Sequence, residues 1–241
     1  MEARLLLAFA VITSLVLGAC DTSSELIQIT SLRPIPELRQ EALAAVPPAP
    51  RGDEHPSDLV EIVTLDPSIR LDIRYATSNN FVGEPVYTLA RAFLQRPAAE
   101  ALVRAHRALR SEGYGLLIHD GYRPWYVTRI FWDASSKADR AYLADPAEGS
   151  KHNRGCAVDL TLYDLETGKA VRMPSLYDEA SARAAPDYAG GTQRQRALRD
   201  LLRRVMEAEG FTVDSMEWWH FDYRDWEWYA VQNVPFESLG P

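Results

Sequence analysis

The hydrophobic pattern changes character along the chain. Residues 5–19, LLLAFAVITSLVLGA, are apolar almost throughout, with Arg4 just ahead of them. A membrane-spanning helix needs roughly 20 apolar residues, so this shorter run reads as the core of a secretory signal. Residues 21–58 show little periodicity, and Pro34, Pro36, Pro47, Pro48, Pro50 and Pro56 interrupt any helix. Only ELRQEALAA (37–45) supports a short helix there, and the rest of 20–58 reads as a flexible tether. From Leu59 onward the pattern becomes regular. LVEIVTL (59–65) and IRLDIRY (69–75) alternate apolar and polar residues around an Asp66-Pro67 turn, and they predict two strands. PAAEALVRAHRALRSEG (97–113) predicts a helix with Pro97 in its first turn and Gly113 at its end. GLLIH (115–119) predicts a buried strand, RPWYVTRIFWDAS (123–135) a second helix, and CAVDLTLYD (156–164) another strand. In 192–210, Leu198, Leu201, Leu202, Val205 and Met206 fall on one helical face, and Gly210 follows as a cap. EWWHFDY (217–223) predicts a last strand. Helices and strands do not alternate strictly, so the expected fold is α+β: a mostly antiparallel sheet flanked by helices, in one domain over residues 59–241.

Composition narrows the function classes. With 46% hydrophobic residues and 25% charged, the chain is globular rather than disordered or fibrous. Its 26 Lys+Arg against 34 Asp+Glu give a net charge of −8, and no basic run is present. Such a chain gains little from phosphate neutralisation, so nucleic acid is not an expected partner. Two cysteines cannot build a disulfide scaffold. One of them, Cys20, ends the sequence Leu17-Gly18-Ala19-Cys20, which resembles a bacterial lipobox. That resemblance implies cleavage after residue 19, a lipid on Cys20 and a soluble domain tied to an envelope membrane, in the periplasm or outside. It also leaves Cys156 as the one remaining thiol. A signal peptide that merely contains a cysteine is the plainer alternative.

Candidate chemistry centres on histidine, of which the chain has five. His55 lies in the tether and His106 in a surface-type helix beside Arg104 and Arg107, and both are expected to be solvated. His119 ends an apolar strand and reads as a core or supporting residue. His152 precedes Asp159, which period two places on one sheet face with Ala157 and Thr161. A carboxylate there needs a partner, either an arginine or a metal. A loop histidine, a strand aspartate and a second histidine, His220, can meet at one cation with a position left open, the arrangement of catalytic rather than structural zinc. On a regular strand Glu217 and His220 would point to opposite faces, so a shared site requires an irregularity near Trp218. A buried aromatic strand with one satisfied histidine is the other reading.

S-x-H-x-x-G-x-A-x-D (Ser150 to Asp159) together with E-W-W-H (Glu217 to His220) resembles the zinc D-alanyl-D-alanine dipeptidase family of the vancomycin-resistance type. DIRYATSNNF (72–81), DGYRP (120–124) and MPSLYD (173–178) are similar to further blocks of that family, in the same order, so the resemblance spans roughly residues 60–225. It implies an α+β fold shared with zinc D,D-carboxypeptidases and with a hedgehog-type signalling domain. It also implies one Zn²⁺ held by His152, Asp159 and His220. Glu217 is then the general base and Arg123 stabilises the oxyanion. Asp178 receives the substrate ammonium, Ser150 lies near the substrate, and Tyr75 forms a pocket wall. The implied substrate is a small D,D-dipeptide. A zinc D,D-carboxypeptidase or endopeptidase acting on peptidoglycan stems shares the metal set, and a non-catalytic metal-binding lipoprotein would need neither Glu217 nor Arg123. Cys156 and Trp125 depart from the expected pattern. Strand phase turns Cys156 away from Asp159, and Trp125 is bulky enough to alter the pocket.

Overall fold

The computed structural model describes residues 28–240. In chain order its elements are helix α1 (Ile35–Ala44), strand β1 (Leu59–Glu61), the single turn α2 (Ile62–Leu65), β2 (Arg70–Leu71), β3 (Phe93–Gln95), α3 (Arg96–Arg110), β4 (Tyr114–Asp120), α4 (Trp125–Ala134), β5 (Ala157–Asp164), α5 (Gln193–Ala208), β6 (Phe211–Val213) and β7 (His220–Tyr223). The main sheet has the order β2-β4-β5-β7-β6, and β1 pairs with β3 in a separate ribbon. The fold is α+β as expected, but the sheet is mixed: β2 runs parallel to β4, and the other pairings are antiparallel.

β5 forms the centre of the sheet, flanked by β4 and β7. Residues Ala157 to Tyr163 are buried on both faces. Period two sends Val158, Leu160 and Leu162 into the core with Leu116 and Ile118 of β4, Leu102 and Leu109 of α3, and Leu198, Leu202 and Met206 of α5. Burying each such leucine contributes about 1.5–3 kcal/mol relative to leaving it in water. α5 opens on a reciprocal capping box: Gln195 N donates to Thr192 Oγ1 (3.2 Å) and Thr192 N donates to Gln195 Oε1 (2.8 Å). Ala157 and Asp159 occupy the other phase of β5, where Tyr75 and the loop carrying Tyr177 and Asp178 lie.

Several expectations need correction. Of 59–65 only Leu59–Glu61 is strand, because its partner β3 is three residues long; the chain then turns, with Ile62 N bonded to Ala92 O. Of 69–75 only Arg70–Leu71 pairs. β4 shifts register between Ile118 and Asp120, and beyond the Asp72 N to Ile118 O bond the chain coils into a 3₁₀ turn, Arg74–Ala76. His106 is fully buried rather than solvated: its Nδ1 accepts from Leu116 N (3.1 Å) and its Nε2 lies 2.9 Å from Ser68 Oγ. The 20–58 stretch is not all tether, since α1 buries Ile35, Leu38 and Ala42 and packs on α4. Cys20 and the signal segment lie outside the described residues.

Candidate metal centre

Asp159 and His220 face each other as a registered antiparallel pair on β5 and β7. Directly opposed residues share a sheet face with close Cβ atoms, so their side chains meet without any loop to bring them together. His152 comes from the 3₁₀ turn His152–Arg154 just before β5. Gly155 ends that turn at φ +71°, a conformation that favours glycine, and a Cβ there would also have to displace the Leu59 side chain, whose Cδ2 lies 2.5 Å away. The three donors converge closely. His220 Nδ1 is 3.0 Å from Asp159 Oδ1, His152 Nε2 is 3.3 Å from the same oxygen, and the two ring nitrogens are 3.2 Å apart. Donors about 2.0–2.1 Å from a tetrahedral zinc would stand about 3.3 Å from one another, close to this spacing.

The outer hydrogen bonds decide what these atoms offer. His152 Nδ1 lies 2.7 Å from Gly121 O, a pure acceptor, so that nitrogen carries the proton and Nε2 presents a lone pair. His220 faces carboxylate oxygens from both ring nitrogens, Asp222 Oδ1 at Nε2 and Asp159 Oδ1 at Nδ1, each at 3.0 Å, and against the effect of burial these partners raise it well above the ordinary imidazole value. A cation at the shared spot would replace the Nδ1 proton and leave the Nε2 proton on Asp222, so that two imidazole nitrogens and a carboxylate oxygen face it, a donor set that fits zinc. Asp222 is held in turn by Lys151 Nζ, and Asp159 Oδ2 accepts from Tyr177 OH at 3.0 Å. Burial alone would raise the Asp159 carboxyl, but His152 and His220 hold it well below the usual carboxylate range.

Glu217 reaches the same place by the predicted irregularity. Residues 217–220 form a turn closed by His220 N to Glu217 O (3.2 Å), and β7 begins only at His220. Glu217 Oε2 then stands 3.8 Å from His220 Nδ1. Burial, reinforced by Asp159 and Asp214, pushes its carboxyl up to about 7.

Arg123, its side chain 11% exposed, lies beside these groups. Its Nε and Nη2 donate to Asp120 Oδ2 (3.0 and 2.9 Å), and its guanidinium lies 5.2 Å from the Tyr75 ring centroid and 5.1 Å from that of Phe131. Nη2 is 3.9 Å from Asp159 Oδ2, which places the guanidinium against the donor cluster. Asp120 is itself fixed by Tyr87 OH (2.7 Å). Asp178 adopts φ +59°, a left-handed conformation that non-glycine residues adopt at a cost. Its carboxylate accepts from Tyr75 OH at 3.1 and 3.2 Å. Burial first, then the nearby charges of Asp159 and Glu217, raise it well above the carboxylate range. Ser150 is buried, and its Oγ accepts from His152 N (3.1 Å), so it shapes the ligand turn directly.

The structure thus gathers His152, Asp159, His220 and Glu217, with Arg123 against them and Asp178 and Tyr75 alongside. Sequence reasoning gave no role to Asp222, Lys151, Tyr177, Asp120 or Tyr87. Asp222, two residues beyond His220 and on the same strand face, was findable from period two; Asp120 and Tyr177 stand in the 120–124 and 173–178 blocks, whose presence pointed to them without saying what they touch, and Lys151 and Tyr87 are brought in by folding. His119 is buried as expected, with Nδ1 3.2 Å from Asp72 O and its ring 4.7 Å from that of Tyr177. Cys156 is buried in the core, and burial raises its thiol. Trp125 does not narrow the pocket: its indole N–H donates to Pro146 O, and it lines a surface cleft with Val46, Pro48 and Trp132.

Comparison with known proteins agrees with this geometry. The family model for D-Ala-D-Ala dipeptidases, peptidase M15, matches residues 55–238. A D-alanyl-D-alanine dipeptidase of Enterococcus faecium is 37% identical over 175 residues, covering 65% of this chain and 87% of that enzyme. The Escherichia coli enzyme of the same name is 34% identical over 169 residues, 69% of this chain and 84% of its own. That of Streptomyces coelicolor is 34% identical over 189 residues, 70% and 92%. Among solved structures the likeness is weaker: the LD-carboxypeptidase LdcB aligns at a TM-score of 0.43 with 21% identity, over 71% of this chain and 70% of that one, so the assignment rests on the sequence relatives. The chain belongs to the peptidase M15 family, the D-Ala-D-Ala dipeptidases, and is a metallopeptidase of that group.

Proposed function

We propose that this protein hydrolyses D-alanyl-D-alanine to free D-alanine in the cell envelope, using one zinc ion. His152 through Nε2, Asp159 through Oδ1 and His220 through Nδ1 would hold the metal. When bound, zinc supplies a Lewis acid that polarises the peptide carbonyl and acidifies a water.

The remaining work falls to the chain's own side chains. Glu217 takes a proton from the attacking water as the new C–O bond forms. It returns that proton to the amine as the C–N bond breaks, giving two free amino acids. Arg123 is held by Asp120 and flanked by Tyr75 and Phe131, so its position does not depend on the substrate. A fixed donor to the growing oxyanion contributes about 3 kcal/mol, by analogy with other oxyanion donors. Asp178 receives the substrate ammonium. Without a cation its burial makes the charged form costly, and an incoming amine removes that cost.

Asp178 is the observation that carries the dipeptide reading. A longer peptide has no charge at its position and would leave the partly buried carboxylate with Tyr75 OH alone and no ammonium. The family's dipeptidase names support the same substrate. Zinc-replete protein should cleave D-Ala-D-Ala much faster than its N-acetylated form or a stem peptide ending in D-Ala-D-Ala. Faster cleavage of the stem peptide would favour the carboxypeptidase reading instead. The Leu17-Gly18-Ala19-Cys20 segment supports a lipid anchor at Cys20, which suits a role in wall turnover and salvage rather than cytosolic resistance. Mass spectrometry of the N-terminal peptide from the native membrane tests that part: a diacylated Cys20 is expected, and an unmodified cysteine refutes it.

A further inference from the structure

Residues 28–45 precede the 55–238 stretch that matches the family, yet they are built into the body of the domain. α1 lays Ile35, Leu38 and Ala42 on α4, whose Phe131 ring lies 5.1 Å from the Arg123 guanidinium and 4.8 Å from the Tyr75 ring. The same segment grips the loop between Tyr75 and Tyr87 by its backbone. Gln28 Nε2 donates to Ser78 O (3.0 Å) and Asn80 O (3.2 Å), and Ile29 N donates to Phe81 O (2.8 Å). Arg39 Nη1 donates to Val86 O and Nη2 to Pro85 O, both at 2.9 Å.

Both ends of the gripped loop reach the site. Val86 N and Tyr87 N donate to Tyr75 O, each at 2.9 Å, so the carbonyls held by Arg39 sit one link from Tyr75. Tyr75 OH meets Asp178 at 3.1 and 3.2 Å, long for O–H···O contacts, so a small loop shift breaks them. Tyr87 OH meets Asp120 at 2.7 Å, a tighter bond that also keeps Arg123 in place.

We propose that residues 28–45 are a strap, additional to the family core, that sets the amine-binding wall of the pocket through the 78–86 loop, with Arg39 as its positioning residue. The kinetic consequence rests on the dipeptidase reading above; the strap itself does not. Losing Arg39 loosens Tyr75 and with it Asp178, which weakens substrate capture. The metal donors keep their own contacts, Arg123 keeps its two bonds to Asp120, and the 2.7 Å Tyr87–Asp120 bond survives a shift that breaks the longer Tyr75–Asp178 contacts, so turnover of bound substrate changes less than its capture.

The test uses the chain from residue 21 to 241, zinc-loaded, as wild type, Arg39→Ala, Arg39→Lys and Arg33→Ala. Arg33, just ahead of α1, bonds Glu41 of that helix rather than the 78–86 loop and serves as control. For Arg39→Ala we expect KM for D-Ala-D-Ala to rise three- to tenfold, kcat to stay within twofold, zinc affinity to stay unchanged, and amide hydrogen exchange across 77–87 to speed at least tenfold. Arg39→Lys, which reaches one carbonyl rather than two, should fall between, and Arg33→Ala should match wild type. Unchanged exchange across 77–87 overturns the strap. Faster exchange with unchanged KM overturns the positioning role. An inactive wild type would instead reject the dipeptidase reading, leaving exchange to judge the strap.

Discussion

Replacing Asp222 by Asn should weaken zinc binding through the proton on His220. In the wild-type chain Asp222 Oδ1 accepts from His220 Nε2 (3.0 Å) while Oδ2 accepts from Lys151 Nζ, and the Lys151 ammonium lies 5.2 Å from the Trp226 ring centroid. An asparagine has one oxygen and one NH₂ for these two neighbours. The ammonium can only donate, so it claims the oxygen. The NH₂ then faces His220 Nε2, which must present its lone pair. The ring proton moves to Nδ1, the atom that points at Asp159 and His152. Outer-shell changes of this kind typically cost 10- to 100-fold in metal affinity, or about 1.4–2.7 kcal/mol. Competition against a chromophoric chelator at fixed pH reads the dissociation constant directly. Lys151→Met in the same chain frees the amide to turn its oxygen back to His220, so the double variant should recover part of the loss. Zinc affinity within twofold of wild type for Asp222→Asn would refute this reasoning. So would a double variant no tighter than the single one.

Asp178→Ala should lower kcat/KM for D-Ala-D-Ala by a factor of about 30 to several thousand, the cost of removing one partner of a buried charge pair. It should also erase the preference over N-acetyl-D-Ala-D-Ala, and a retained preference would count against the amine pocket. Glu217→Gln should keep zinc, by metal analysis, and lose 10²- to 10⁴-fold in kcat. Burial, with Arg110 and Arg107 adding to it and Asp66 opposing, holds His106 below the ordinary imidazole value. The folded protein therefore resists protonating it more than the unfolded chain does. The part of stability linked to His106 is complete above about pH 6.5 and falls on acidification, by at most about 1.4 kcal/mol per pH unit. Melting temperatures of the metal-free wild type should therefore fall relative to those of His106→Asn between pH 7.5 and 5, and a constant difference would refute this. Leu202→Ala removes a fully buried α5 side chain and should cost about 2–5 kcal/mol in urea unfolding.

The two histidines of the candidate metal site were legible because the chain has only five, each of these two in a motif. Strand periodicity placed Asp159 on a sheet face but left an arginine or a metal as its partner, and the family resemblance chose between them; the Glu217–His220 conflict on a regular strand correctly called for a turn. The supports were not legible. Tyr177 touches Asp159 from 18 residues away and Lys151 touches Asp222 from 71, and no local pattern announces either pairing. His106 looked exposed because its flanking arginines dominate the helix pattern; the residue that mattered was Leu116 on a neighbouring strand, whose N–H it accepts. α1 was expected over 37–45 and found over Ile35–Ala44, but the prolines on both sides made it look like part of a tether, although Ile35, Leu38 and Ala42 already had the helical spacing of a packed face. β3 and β6, at three residues each, are too short to leave a period.

The central claim is that His152, Asp159 and His220 hold one catalytic zinc. Free D-alanine released from D-Ala-D-Ala by the purified 21–241 chain, measured before chelation, after exhaustive chelation and after one equivalent of zinc is returned, tests it most directly. We predict release that disappears with the metal and returns with it. Undiminished release from metal-free protein, or none from the zinc-replete chain, would contradict it.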